Sequence, residues 1–191
     1  GNVYKIPLAI DIYLNNQAQR KEVVIDKQIQ TSSFSVNSEP QLINVDAEKA
    51  VLAVKHESKT MQEYIFQYQN APLFLDRYEA VTKLESLKNE KAARGILIKA
   101  LDDKNWYIRQ TALKFVPSLY PDEKNQVYDK IKSMALTDER SYVRAEAVTV
   151  LRSVYPEKDN KDIFNTTAND KAYSVKRATL GNKPNNVLIA P

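Results

Sequence analysis

A beat of arginine, two residues, alanine and an apolar residue recurs through this chain, and no other feature restricts its fold as much. It reads Asp103-Lys-Asn-Trp-Tyr-Ile108-Arg109-Gln-Thr-Ala112-Leu113-Lys-Phe-Val116, then Asp138-Glu-Arg-Ser-Tyr-Val143-Arg144-Ala-Glu-Ala147-Val148-Thr-Val-Leu151. A weaker copy follows as Asp170-Lys-Ala-Tyr-Ser-Val175-Lys176-Arg-Ala-Thr179-Leu180. An earlier echo, Arg77-Tyr-Glu-Ala80-Val81-Thr-Lys-Leu84, keeps the Arg and the apolar positions without the Asp. The basic residues 77, 109, 144 and 176 stand 32, 35 and 32 residues apart, which is the period of stacked helix pairs. A helical solenoid is the expected fold over this region.

Each part of the beat has a physical reading. Ile108, Ala112 and Val116, like Val143, Ala147 and Leu151, fall at i, i+4 and i+8, so one stripe of the helix is apolar and its small Ala admits a neighbouring helix. The Asp precedes the helix, where its carboxylate can accept from first-turn N–H groups and reach the Arg of the same or an adjacent repeat. Asp103, Arg109, Asp138, Arg144, Asp170 and Lys176 are accordingly read as a structural ladder between repeats. These motifs resemble HEAT-type repeats.

With 191 residues, 43% apolar and 27% charged, the chain can bury a core in one or two domains. Lys+Arg 28 against Asp+Glu 24 gives +4, and residues 1–60 hold seven of each sign while 61–191 hold 21 basic and 17 acidic. The excess is small and interspersed with acids, so no phosphate-backbone track and no nucleic-acid partner is expected. The absence of cysteine removes disulfides, thiol catalysis and thiolate metal sites together. No stretch approaches the roughly 20 apolar residues of a membrane span. The start at Gly1 without Met is read as a processed or engineered end, making this a piece of a longer polypeptide.

Residues 1–57 read as an N-terminal antiparallel β-sandwich domain. Tyr4 to Leu14 alternates with period two, Asn15-Asn16 is its turn, and strands are expected at Val23–Ile29, Phe34–Val36, Leu42–Val45 and Val51–Val54. Pro7 suits an edge or bulge position. Residues 58–191 read as the helical repeat domain. Thr60 and Glu63 have the spacing of a capping box, and Met61, Tyr64, Ile65 and Tyr68 form the stripe of the helix they open. Further helices are expected at about 73–88, 90–101, 105–116, 122–136, 140–153, 160–167 and 172–180, separated by Pro117, Pro121 and Pro156 and closed by Gly181. The tail holds Val187-Leu-Ile189, a candidate cap for the last repeat.

Catalytic chemistry is sparse. His56-Glu57-Ser-Lys-Thr60 lacks the second imidazole that H-E-x-x-H needs one turn later, and His56 is the only histidine, so neither a zinc site nor a Ser-His-Asp triad can be assembled. Three glycines leave no Gly-rich phosphate loop. Asp102-Asp103 and Asp138-Glu139 fall at inter-helix turns as caps. The expected catalytic and metal residues are none.

The order of features carries a second resemblance. Tyr4-x-Ile6-Pro7-Leu8, then Pro40-x-x-Ile43-Asn44-Val45-Asp46, then Gln67-x-Gln69-x-Ala71-Pro72, then Asp76-Arg77-Tyr-Glu-Ala80, followed by HEAT-like helices, resembles the aminopeptidase N-like zinc metallopeptidases over nearly the whole chain. That family's zinc histidines, glutamates and Gly-x-Met-Glu-Asn motif lie in a thermolysin-like domain and are missing here. The resemblance therefore implies the two non-catalytic C-terminal domains: the sandwich that joins the catalytic domain to a solenoid, and an α-α superhelix that covers the active-site chamber. It implies zinc in the parent's catalytic domain and none in this fragment, no hydrolysis by the fragment alone, and release of N-terminal residues by the parent. Family sandwiches have strands before the Tyr-x-Ile-Pro-Leu segment, which implies that this chain begins inside its sandwich and can dimerise through an exposed sheet edge.

Two functions follow as expectations. The first is the non-catalytic region of a zinc aminopeptidase, whose solenoid limits peptide access, with Trp106, Tyr107, Arg109, Tyr142 and Arg144 as the candidate substrate-access face. The second is a free-standing HEAT-like scaffold that binds a protein or peptide partner.

Overall fold

The computed structural model describes residues 4–181. Among the described residues a small antiparallel sheet is followed by eight α-helices. Strands β1 (Ile6–Leu14), β2 (Gln17–Ile25) and β3 (Leu42–Val45) are ordered β2-β1-β3. Helices α1 (Met61–Asn70), α2 (Phe74–Glu85), α3 (Lys91–Lys99), α4 (Trp106–Phe115), α5 (Pro121–Thr137), α6 (Ser141–Val154), α7 (Lys161–Thr167) and α8 (Tyr173–Leu180) follow. The Val187-Leu-Ile189 tail lies outside the described residues. The chain divides into two compact units between Leu87 and Lys88, whereas the change from strand to helix comes earlier, ahead of Met61.

The first unit is built on the β1–β2 hairpin. Asn15 and Asn16 adopt φ of 50° and 63°, the left-handed pair of a two-residue turn whose twist matches the strands it joins. This turn sets Leu14 opposite Gln17 and Ile6 opposite Ile25. β3 pairs with the other edge of β1 over Ile10–Tyr13 only, so β1 is the central strand and not an edge. Pro7, which has no N–H to donate, falls where β1 has a partner on one side alone. Ile10, Ile12 and Leu14 form a core with Leu8 and Val23, and Tyr13, on the other face, packs edge-on against Phe66 of α1 with ring centroids 5.5 Å apart.

Two expected strands do not form. Phe34–Val36 and Val51–Val54 are irregular, and Leu52 and Val54 are 106% and 84% exposed. Short apolar runs acquire strand structure only where another strand supplies hydrogen bonds. After β3 the chain turns through Asp46 and Lys49, both at positive φ, and the Asp46 carboxylate accepts from the N–H groups of Ala50 and Val51 at 2.9 and 3.3 Å. That turn diverts the chain away from the sheet.

The helices follow their local signals. Both halves of the capping box are present at α1: Glu63 N–H donates to Thr60 Oγ1 at 3.2 Å, and Thr60 N–H donates to Glu63 Oε2 at 2.7 Å. The most deeply buried residue of α1 is Gln67, not one of the expected apolar stripe, of which Met61 and Ile65 are only half-buried. In the second unit α4, α6 and α8 pack side by side as one layer, backed by α5 and α7. Ile108, Ala112, Val116, Val143, Ala147 and Leu151 are all buried. Gly181 ends α8 at φ 72°, a conformation that favours glycine; a Cβ there would stand 2.7 Å from the end of the Arg152 guanidinium.

Candidate functional site

The recurring Arg and Asp form rungs between successive repeats, by a geometry that the sequence spacing does not reveal. Arg109 makes a two-pronged contact with Asp138, Nε to Oδ2 at 2.8 Å and Nη2 to Oδ1 at 2.9 Å, while its Nη1 donates to the Asp103 carbonyl at 2.9 Å. Arg144 repeats this with Asp170 at 2.8 and 2.9 Å and with the Asp138 carbonyl at 2.8 Å. Each guanidinium thus binds the backbone of the Asp six residues before it and the carboxylate of the Asp in the next repeat. The carboxylates also accept the N–H two residues on: Asp103 from Asn105, Asp138 from Arg140 and Asp170 from Ala172, at 2.8, 2.9 and 2.7 Å. Those are N-cap N–H groups, one step ahead of the first helical turn. Paired, charge-assisted bonds of this kind favour the ionised forms. The hydrogen bond to Asp138 raises the Arg109 pKa, and that to Arg144 holds the Asp170 carboxyl below its ordinary value. Lys176, at the third position of the series, is exposed.

A rung of the same form joins α3 to α5 and was not expected from sequence. Arg94 Nε lies 2.8 and 2.9 Å from the Glu123 carboxylate, and its Nη1 donates to the Lys88 and Asn89 carbonyls at 2.8 and 2.9 Å. Its guanidinium also lies over the Tyr120 ring, 4.0 Å from the centroid. The signal was present: Arg94-Gly-Ile-Leu97-Ile98 carries the beat with Leu in place of Ala.

Of the residues expected on an access face, Arg109 and Arg144 are withdrawn into these rungs, with side chains only 13% and 7% exposed. The aromatic members stay outside. Trp106 stacks on Tyr142 with centroids 5.8 Å apart and meets Tyr107 edge-on at 5.5 Å, and Tyr107 and Tyr142 are exposed. Tyr173, at the start of α8, is 78% exposed and continues the row; it stands three residues after Asp170 as Trp106 stands three after Asp103. Beside the row runs an open cleft of about 650 Å³ over α6, reaching from Gln110 on α4 to Tyr173 and Arg177 on α8. Glu146 lines it, half-buried; burial pushes its carboxyl up, and the charge of Lys114 and a hydrogen bond from Gln110 only partly oppose this.

The first unit holds a different polar assembly. Asp76, fully buried, lies 2.9 Å from Lys49 Nζ and accepts from the Asn44 amide at 3.0 Å. Lys49 also contacts Glu79 at 2.9 Å, and Gln67 donates to the Asp76 carbonyl at 2.9 Å. Burial works to raise the Glu79 carboxyl, and the hydrogen bond and charge of Lys49 outweigh it, so the net direction is down.

His56 is exposed in the irregular segment before α1. Among the described residues no group of three or more His, Asp or Glu side chains is placed to hold a metal ion, and no helix is long and apolar enough to cross a membrane. A family model for HEAT repeats matches residues 67–152. This region is HEAT-like. The chain matches no curated protein.

Proposed function

We propose that this chain is a non-catalytic helical-repeat scaffold whose exposed aromatic row and cleft on α4, α6 and α8 receive a peptide segment, and that its setting is the C-terminal region of a zinc aminopeptidase. The observation that carries the scaffold reading is the division of labour in the repeat layer. Arg109 and Arg144 are used inside it, while Tyr142 and Tyr173 are exposed and line the cleft. Helical repeats commonly present such a face to other proteins.

The aminopeptidase setting rests on the resemblance in the order of the Ile6-Pro7-Leu8, Asn44-Val45-Asp46 and Asp76-Arg77 segments ahead of the repeats. In that setting the sheet is part of a β-sandwich completed by strands outside the described residues, the repeats continue an α-α superhelix over the active-site chamber, and zinc is held by the parent's catalytic domain, where it supplies the activated water. Among the described residues β2 and β3 each have one strand partner, so their outer edges are where parent strands, or a second copy of the fragment, would pair.

The reading frame upstream of residue 1 tests the setting. An H-E-x-x-H motif with a downstream Glu supports it, and its absence leaves a free-standing scaffold for a protein or peptide partner; the HEAT match supports the helical-scaffold part common to both. The fragment assayed against aminoacyl-naphthylamides, with and without added zinc, is expected to show no turnover; chelator-sensitive turnover that survives repurification would overturn the non-catalytic reading.

A further inference from the structure

The cleft has a direction. α6 contributes Tyr142, Ala145, Glu146, Thr149, Arg152 and Ser153 to it, a stripe at i, i+3, i+4, i+7, i+10 and i+11 that runs along one side of the helix. Its middle is low because Ala145, Thr149 and Ser153 are small, with Ala178 and Gly181 beside them on α8. The hydroxyls of Thr149 and Ser153 donate to the Ala145 and Thr149 carbonyls at 3.0 and 2.9 Å, which leaves their oxygens to accept N–H groups from an occupant. Charge is separated along the groove. Among the described lining residues the one carboxylate is Glu146, and the guanidiniums are Arg152, on the same helix, and Arg177 on α8. Arg152 is anchored through Nη1 to the Thr179 carbonyl, which fixes its position at that end.

We propose that this groove binds an extended peptide segment carrying a lysine or arginine and, about three residues away, an aspartate or glutamate, with the basic side chain at Glu146 and the acidic one at Arg152 and Arg177. The spacing comes from the helix. Six residues separate Glu146 from Arg152, about 9 Å of helix rise, and an extended chain in the polyproline II conformation covers that in about three residues at about 3.1 Å each and returns its side chain to the same side. Tyr142 and Tyr173 supply flat, exposed surfaces for the flanking side chains. Glu146 is half-buried with only an amide and one more distant lysine to balance it, so an incoming cation replaces lost solvation that the protein itself does not fully restore. This rests on the scaffold reading and names the partner that such a scaffold takes.

The test follows amide chemical shifts of the ¹⁵N-labelled chain with the blocked peptides Gly-Lys-Ala-Ser-Asp-Gly and Gly-Asp-Ser-Ala-Lys-Gly, and with versions in which Lys is replaced by Ala. Shifts at Gln110, residues 142–153 and residues 173–181 are expected with one of the two orders. Glu146→Gln should weaken that binding about threefold to tenfold, and Arg177→Gln by a smaller factor, as for partly screened charge pairs. Thr149→Trp, at an exposed position, should block it without changing thermal unfolding. No shifts at about millimolar peptide, or shifts indifferent to both Glu146→Gln and the loss of the peptide lysine, would overturn the proposal. Shifts centred on the separate hollow of about 310 Å³ lined by Trp106, Arg140 and Lys171 would also overturn it while leaving the scaffold reading standing.

Discussion

The two units bury charge in opposite ways. In the first, Asn44, Lys49, Gln67, Asp76 and Glu79 converge from a strand, a loop and two helices on a single knot in which each polar group depends on several others. In the second, Arg94, Arg109 and Arg144 each form a rung centred on one close carboxylate and the carbonyls of one turn, with Glu139 a second acid 3.6 Å from Arg109. A knot concentrates the cost of losing any member, because the rest is left buried with unmatched charge. Rungs distribute that cost, and each can be lost separately.

The largest effect should therefore come from the knot. Asp76→Ala leaves Lys49 buried with one carboxylate in place of two and is expected to destabilise the protein by about 3–5 kcal/mol in urea unfolding, whereas Lys49→Met added to it should cost far less than the sum of the two changes. Independent costs would break the comparison. Next comes a rung. Arg144→Met should cost about 1–3 kcal/mol, with coupling in a double-mutant cycle to Asp170→Asn exceeding that to Asp138→Asn, since Asp138 offers Arg144 its backbone carbonyl and gives its carboxylate to Arg109. Equal coupling to both aspartates would show that the rungs are not separate.

A smaller change sharpens the contrast from the stabilising side. Gly95 lies within α3, and a Cβ there would have nothing within 4 Å, so Gly95→Ala should add about 0.5–1 kcal/mol. Amide exchange should show the gain in residues 88–118 and not in the sheet. The smallest effect is in acid. The Asp170 carboxyl is held below its unfolded value by Arg144, so its contribution is complete above about pH 4 and is lost as pH falls through the lower folded value. Asp170→Asn should accordingly flatten the decline in stability below pH 4 and leave the profile above it parallel to the wild type.

What could be read from sequence follows the range of the interactions. The helices lie within a few residues of their expected limits because the signals are local: Thr60 with Glu63, Pro121 at the first turn of α5, and apolar residues at helical spacing. Phe34–Val36 and Val51–Val54 misled because a short apolar run says nothing about whether a partner strand is at hand. The rungs carried their residues in plain view but not their pairing, since the carboxylate that meets Arg109 is 29 residues away. Lys49 gave no sign at all; its role comes from a left-handed turn that aims an ordinary surface residue type inward. Glu146, one polar residue among many on a helix, was equally silent.

The rungs gauge distance through space and disregard distance along the chain. Arg94 and Arg109 find carboxylates 29 residues on, yet Arg144 finds its own after 26. The backing helices between those partners differ far more than the spacings do: α5 has 17 residues and α7 has seven, the difference being made up mostly by the longer α6 and the loop that follows it. Because the guanidinium holds only the two turns that open neighbouring helices, a repeat can gain or shed whole turns of its backing helix without moving the connection. Insertions and deletions in this array should consequently be found, and be tolerated, in α5 and α7, while the short stretch from each Asp to its Arg keeps a fixed length of six.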